Sequence, residues 1–216
     1  MNSQHRVSES KMASHRPQLF ERMDDSDDGL FYTMPRLVNH IDEATIAALT
    51  QYYSEVLNAG DDVLDLMSSW VSHLPAVEFN AVAGLGMNLE ELEHNPRLTE
   101  HKLHDLNADP NLPYVDTRFD AVLIAVSIQY LVRPFEVFAE IARVLRPGGQ
   151  ALVAMSHRCF PTKAIRAFHV FSPPQRMELV ADYMRSTGVF LEPSIVDRSP
   201  TGADPLWIIH GIKGST

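Results

Sequence analysis

Cysteine occurs once in the 216 residues, at Cys159, so no disulfide can form within the chain and stability must come from a buried core. Long apolar runs are missing too: no window approaches the roughly 18 uninterrupted apolar residues of a membrane span. The first thirty residues mix Arg6, Lys11 and Arg16 with serines and lack the apolar stretch of a secretory signal, which favours a cytoplasmic protein over an exported one. Basic residues are scarce. Eighteen Lys and Arg against 28 Asp and Glu leave a net charge of −10, which opposes general affinity for nucleic acid or an anionic membrane. The ten histidines lack the spacing of a zinc site, and no metal is expected.

What is present has the balance of an ordinary globular domain, 45% hydrophobic and 21% charged. Residues 1–29 are polar, end in Asp24, Asp25, Asp27 and Asp28, and show no sustained period, so they read as an arm preceding a domain at 30–216. Ile41, Ala44, Ala48, Tyr52 and Val56 follow helical spacing behind Asp42 as a cap. Short apolar runs bounded by turn residues predict strands at 62–67, 79–86, about 101–106, 119–128 and 150–155, with a final pair near 191–198 and 206–213. Between them, helices are predicted near 69–75, from Asn88 with the capping-box spacing to Glu91, from Pro134 to a stop at Pro147-Gly148-Gly149, and around Met177 to Met184. Alternating strands and helices imply a Rossmann-like α/β fold. Its seven-stranded sheet is mostly parallel, the short link at 201–204 makes a C-terminal antiparallel hairpin, and helical structure near the N-terminus forms a cap. Such sheets bind ligands at the carboxyl ends of their strands.

This order resembles the class I S-adenosylmethionine-dependent methyltransferases, particularly the small-molecule type labelled type 11. Locally, VLDL at 63–66 is similar to the family's first strand, RFDAVLIAVSIQYL at 118–131 to its fourth, and RVLRPGGQALVAMS at 143–156 to its fifth with the preceding helix. The resemblance implies S-adenosyl-L-methionine as cofactor and a small molecule as methyl acceptor. It also implies roles: Asp65 supports the first loop or the donor's amino group, Met67 and Ser68 form that loop, Asp105 and Leu106 hold the adenine, and Ser127 with Gln129 flanks the sulfonium. Two departures stand out. The glycine-rich turn GxGxG is replaced by Met67-Ser68-Ser69-Trp70-Val71, and the ribose-binding acid expected near Leu85 and Gly86 is absent, leaving Asn88 either to contact the hydroxyls or simply to cap its helix.

A base is needed only if the acceptor arrives protonated, and His157, Tyr32 and His40 are the candidates. Residues 143–176 carry Arg143, Arg146, Arg158, Lys163, Arg166 and Arg176 without an acid. Arg143 and Arg146 complement a helix end, whereas Arg158, Lys163 and Arg166 follow the fifth strand, where an anionic acceptor would be held. Trp70, Phe160 and Phe168 are candidate walls for an apolar acceptor. The competing expectation, drawn from the missing glycines and ribose acid, is a degenerate domain kept as a non-catalytic, partner-binding subunit.

Overall fold

The computed structural model describes residues 16–215, so residues 1–15 of the expected arm lie outside them. Seven strands form one sheet: β1 (Asp62–Leu66), β2 (Ala81–Gly86), β3 (Glu100–Leu103), β4 (Phe119–Ala125), β5 (Leu145–Met155), β6 (Ser194–Asp197) and β7 (Trp207–Ile212). Their spatial order is β3-β2-β1-β4-β5-β7-β6, parallel from β3 to β5, with β7 antiparallel to both β5 and β6. The expected Rossmann-like sheet and its closing hairpin are therefore present.

The helices are α1 (Asp28–Phe31), α2 (Glu43–Val56), α3 (Leu89–His94), α4 (Pro134–Val144), α5 (Arg166–Val170) and α6 (Pro173–Ser186). Their starts follow local chemistry. Asp42 accepts from the Thr45 N–H to cap α2, proline occupies the first turn of α4, and Ser172 and Gln175 form a capping box on α6. Successive residues of the central strands point to opposite faces. Val63, Leu123 and Leu152 pack with Leu49 and Tyr53 of α2, while Leu64, Val122 and Val153 pack with Phe138 of α4 and Tyr183 of α6. Both faces are covered, and this is why these strands read as unbroken apolar runs.

Two local expectations change. Residues 67–80 form no helix but an irregular loop, because polar side chains compete for its backbone: Thr50 donates to the His73 carbonyl and Asn95 to that of Ser69, each at 2.8 Å. The Pro147-Gly148-Gly149 stretch lies within β5 rather than in a helix stop, since α4 ends at Val144 and Leu145 already pairs with Phe119. There Arg146 forms ion pairs with Asp62 and Asp120, at the end of the sheet opposite the carboxyl ends of β1 and β4.

Residues 16–29 of the expected arm lie against the domain. Phe20 meets Phe135 edge-on at 5.8 Å, the Asp24 N–H donates to the Thr162 carbonyl, and Glu21 accepts from the Arg166 N–H. This strap continues through α1 to residue 42 and carries the chain across the carboxyl ends of the parallel strands.

Candidate active site

A cavity of 340 Å³ opens where β1, β2 and β4 end, within the range of small-ligand sites. Its floor is Met67, Ser68 and Ser69 after β1, Leu85 to Asn88 around the end of β2, His104 and Leu106 after β3, and Ala125 to Ser127 after β4. Tyr130, Arg158, Cys159 and Phe160 form one wall, and Asp28, Tyr32, Arg36, Asn39 and His40 of the strap form the roof.

The turn after β1 keeps a glycine-like path without glycine. Met67 has φ of 58°, a left-handed conformation that costs an L-residue roughly 1–2 kcal/mol. Val126, at the mouth of β4, has φ of 52°, rarer still for a β-branched side chain. Both line the cavity, where strain of this kind gathers in functional sites. From Met67 the chain passes directly over β2: the Ser68 N–H donates to the Leu85 carbonyl at 2.8 Å, and a Cβ on Gly86 would come within 2.3 Å of the Ser68 oxygen. Gly86 is thus the residue that permits the close approach.

Beneath the turn, Asp65 is buried and accepts from the hydroxyls of Ser68 and Ser72, both at 2.6 Å. Burial pushes its carboxyl up to about 6, despite the hydroxyl donors that pull the other way. Asp65 supports the loop and does not line the cavity.

Asn88 caps α3 through its oxygen, accepting from the Glu91 N–H at 3.0 Å, and its nitrogen donates to the carbonyls of Tyr32 and Thr33. The alternative between cap and hydroxyl contact resolves as a cap that also fastens the strap. Glu91 does not complete the capping box; its carboxylate accepts from the Arg36 N–H and the Ser69 hydroxyl, each at 2.7 Å. With Asp28 it is one of two carboxylates on the cavity lining.

Roof and wall are aromatic. The Arg36 guanidinium lies over Phe31 at 4.6 Å and Phe160 at 5.3 Å, His40 meets Phe160 edge-on, and Tyr130 stacks on Phe160 while its hydroxyl accepts from the Phe160 N–H. Burial holds His40 below the ordinary histidine range, the nearby Glu91 opposing and Arg36 adding to the effect, so the ring is neutral at pH 7. The Tyr32 and Tyr130 phenols are pushed up by burial, Tyr130 to about 12, so neither is an anionic base near neutrality.

Of the residues singled out from sequence, Tyr32, His40, Met67, Ser68, Asn88, Leu106, Ser127 and Arg158 line this cavity. Others lie elsewhere. Asp105 turns back to accept from the N–H groups of Asn107 and Ala108, capping its own loop rather than lining the cavity. His157 is exposed, 3.3 Å from Asp204, in a smaller neighbouring pocket. Lys163 is fully buried and paired with Asp28 at 3.0 Å and Asp24 at 3.3 Å, because an ammonium taken from water needs fixed counter-charges. Arg166 is exposed outside the cavity, and the Trp70 indole donates to the Val38 carbonyl. Gln129 and Phe168 border the smaller pocket. The sequence reading missed Arg36, Asp28, Glu91 and Tyr130. Glu91 did carry a signal, but its capping-box spacing supplied a sufficient local explanation.

The strand order, the cavity at the strand ends and the left-handed turn at Met67 now stand together. Residues 70–153 match a family model described as a methyltransferase domain, beginning just beyond that turn. Among solved structures, an S-adenosylmethionine-dependent methyltransferase from Mesorhizobium loti is similar over 77% of this chain and 98% of its own, with a TM-score of 0.55 at 14% identity. The fold is that of the class I S-adenosylmethionine-dependent methyltransferases. Phosphoethanolamine N-methyltransferase 2 of Haemonchus contortus, solved with S-adenosyl-L-methionine, is similar over 79% of this chain and 52% of its own, with a TM-score of 0.55 at 14% identity. The [4+2]-cyclase SpnF shares the same methyltransferase fold over 78% of this chain and 81% of its own, with a TM-score of 0.56 at 16% identity. No curated protein matched the sequence.

The cavity's chemistry fits an adenosyl cofactor. On the lining, Ser127 presents a buried hydroxyl that has no hydrogen-bond partner among the described residues, and Leu85 and Leu106 offer apolar surface.

Proposed function

We propose that this chain is an S-adenosylmethionine-dependent methyltransferase acting on a small molecule in a cytoplasmic setting. The observation that carries this reading is Met67: its left-handed backbone supplies, where the sequence has no glycine, a turn directly beside the cavity. When bound, S-adenosyl-L-methionine supplies a methyl carbon already electrophilic on its sulfonium sulfur. Met67, Ser68, Leu85, Leu106 and the free hydroxyl of Ser127 are the residues that would hold it.

The rest of the work falls to the strap and the aromatic wall. Tyr32, Phe160 and Tyr130 exclude water and restrict how an acceptor can lie, and such alignment accounts for much of a methyl-transfer rate. His40 is neutral near pH 7, on the cavity, and able to take a proton from an acceptor hydroxyl or amine; His157 lies outside it. The [4+2]-cyclase among the neighbours is the reason for testing transfer directly, since one fold hosts different chemistries.

The test is a transfer screen over small carboxylates, phosphates, phenols and amines, with release of S-adenosylhomocysteine as readout, run on the wild type and His40→Gln. The proposal expects turnover with at least one class, and a kcat lowered about 100-fold by His40→Gln with the donor Kd held within roughly twofold. Donor binding without turnover across all classes would instead favour the degenerate, partner-binding reading.

A further inference from the structure

Beside the main cavity, and sharing Arg158 and Cys159 with it, lies a second pocket of 190 Å³. Its lining includes Arg158, Arg176, His157 and His169 and no carboxylate. The two arginines are held in the same manner. Arg158 is anchored by its Nε to Asp204 at 3.0 and 3.1 Å, and Arg176 by its Nε to the Phe171 carbonyl at 2.9 Å. The Nη groups of both have no hydrogen-bond partner among the described residues. Among the described residues Asp204, from the β6–β7 hairpin, is the acid that pairs with Arg158 and His157, and it sits outside the lining. An independent observation lies on the same lining: Ser156, the residue after β5, is only 7% exposed and its hydroxyl has no partner among the described residues. A buried hydroxyl without a partner costs free energy unless a ligand or water satisfies it.

Two arginines with free guanidinium edges and a buried hydroxyl, lining one pocket that has no acid on it, match an oxyanion, which accepts several hydrogen bonds at once. We infer that this pocket binds the phosphate or carboxylate group of the acceptor, with the rest of that molecule reaching across the Arg158–Cys159 boundary into the main cavity. The assignment of the ligand as acceptor rests on the methyl-transfer reading; the oxyanion site itself does not. It replaces Lys163 and Arg166, which the sequence pattern had put in this role, with Arg176 and Ser156.

Cys159 is the only cysteine of the chain, exposed, and on the lining, so it reports on occupancy. The experiment follows alkylation of Cys159 by neutral iodoacetamide in the full chain, titrating inorganic phosphate against sodium chloride of equal ionic strength, and separately S-adenosylhomocysteine. Phosphate is expected to protect saturably and chloride not. Arg176→Gln should weaken the protection constant about tenfold or more, the loss that one charge-assisted hydrogen bond carries, and Ser156→Ala should weaken it severalfold. Thermal unfolding confirms that both variants fold, and the smaller Ser156→Ala change serves if Arg176→Gln does not. Protection by phosphate no better than by chloride, or unchanged in a folded variant, overturns the oxyanion site. If that happens while S-adenosylhomocysteine still protects, the methyl-transfer reading survives; phosphate protection without any S-adenosylhomocysteine binding would retain the site and remove the reading.

Discussion

Met67 holds a backbone conformation that glycine adopts freely and other residues adopt at a cost. Its side chain also packs against the apolar cluster under α4, so replacing it by glycine removes contacts while relieving the strain. Comparing Met67→Gly with Met67→Ala separates the two, since both lose the side chain and only alanine keeps the strain. Met67→Gly is expected to be the more stable by about 1 kcal/mol in urea unfolding. Equal stabilities would mean that the turn is not held left-handed in solution. Asp65 gives a pH signature. Its carboxyl titrates at about 6 when folded, above its ordinary 3.8, so between those values the folded state binds more protons than the unfolded. Stability contributed at this site therefore falls as pH rises from about 4 to 6. Asp65→Asn keeps an acceptor for Ser68 and Ser72 and removes the titration. Its stability relative to wild type should rise across that window by on the order of 2 to 3 kcal/mol. A difference independent of pH would contradict the burial assigned to this carboxyl.

The strap from the turn at Pro17–Phe20 to α2 is the element that turns an open strand-end crevice into a cavity. It is fastened by charge. Lys163 donates to the Ser26 carbonyl at 2.7 Å and pairs with Asp28, and Asp28 also accepts from Arg22 and Asn107. Burial raises the Asp28 carboxyl, but these donors outweigh it and hold it below the usual range. Removing either partner takes away one buried counter-charge, leaving Asp28 to Arg22 and Lys163 to Asp24. Lys163→Met and Asp28→Asn should each cost on the order of 2 kcal/mol in chemical unfolding, the loss of one charged hydrogen bond, and the double variant clearly less than their sum. Additive losses would show that the strap is not fastened through this pair. None of this was legible in the sequence, where residues 16–29 appear as a polar stretch without period. A buried ion pair between positions 28 and 163 leaves no local pattern, because its two members lie far apart in the chain.

At the scale of the whole molecule, the sheet was legible because strands covered on both faces must be apolar throughout, and because short links such as the one before β7 restrict connectivity. The loop at 67–80 was not, because Thr50, Asn95 and Asp65 hold it from other elements. Which side chains line the cavity was legible where position just past a strand's end decides it, as for Ser127 and Leu106. It was illegible where a side chain had a choice of partners: Asp105 caps its own loop, Asn88 fastens the strap, and Glu91 bridges Arg36 to Ser69. RVLRPGG, the most specific part of the resemblance, does its work in holding the sheet, since Arg146 ties together the starts of β1 and β4 far from the cavity mouth. The central claim is that the cavity over β1, β2 and β4 takes an adenosyl cofactor despite the loss of every glycine from the first turn. Calorimetric titration of S-adenosylhomocysteine into the full chain and into Gly86→Val tests it most directly. The account predicts saturable one-to-one binding by the wild type, and binding weakened at least about tenfold in folded Gly86→Val, whose added Cβ must displace the Ser68 carbonyl. No heat of binding at millimolar ligand from folded wild-type protein would contradict it.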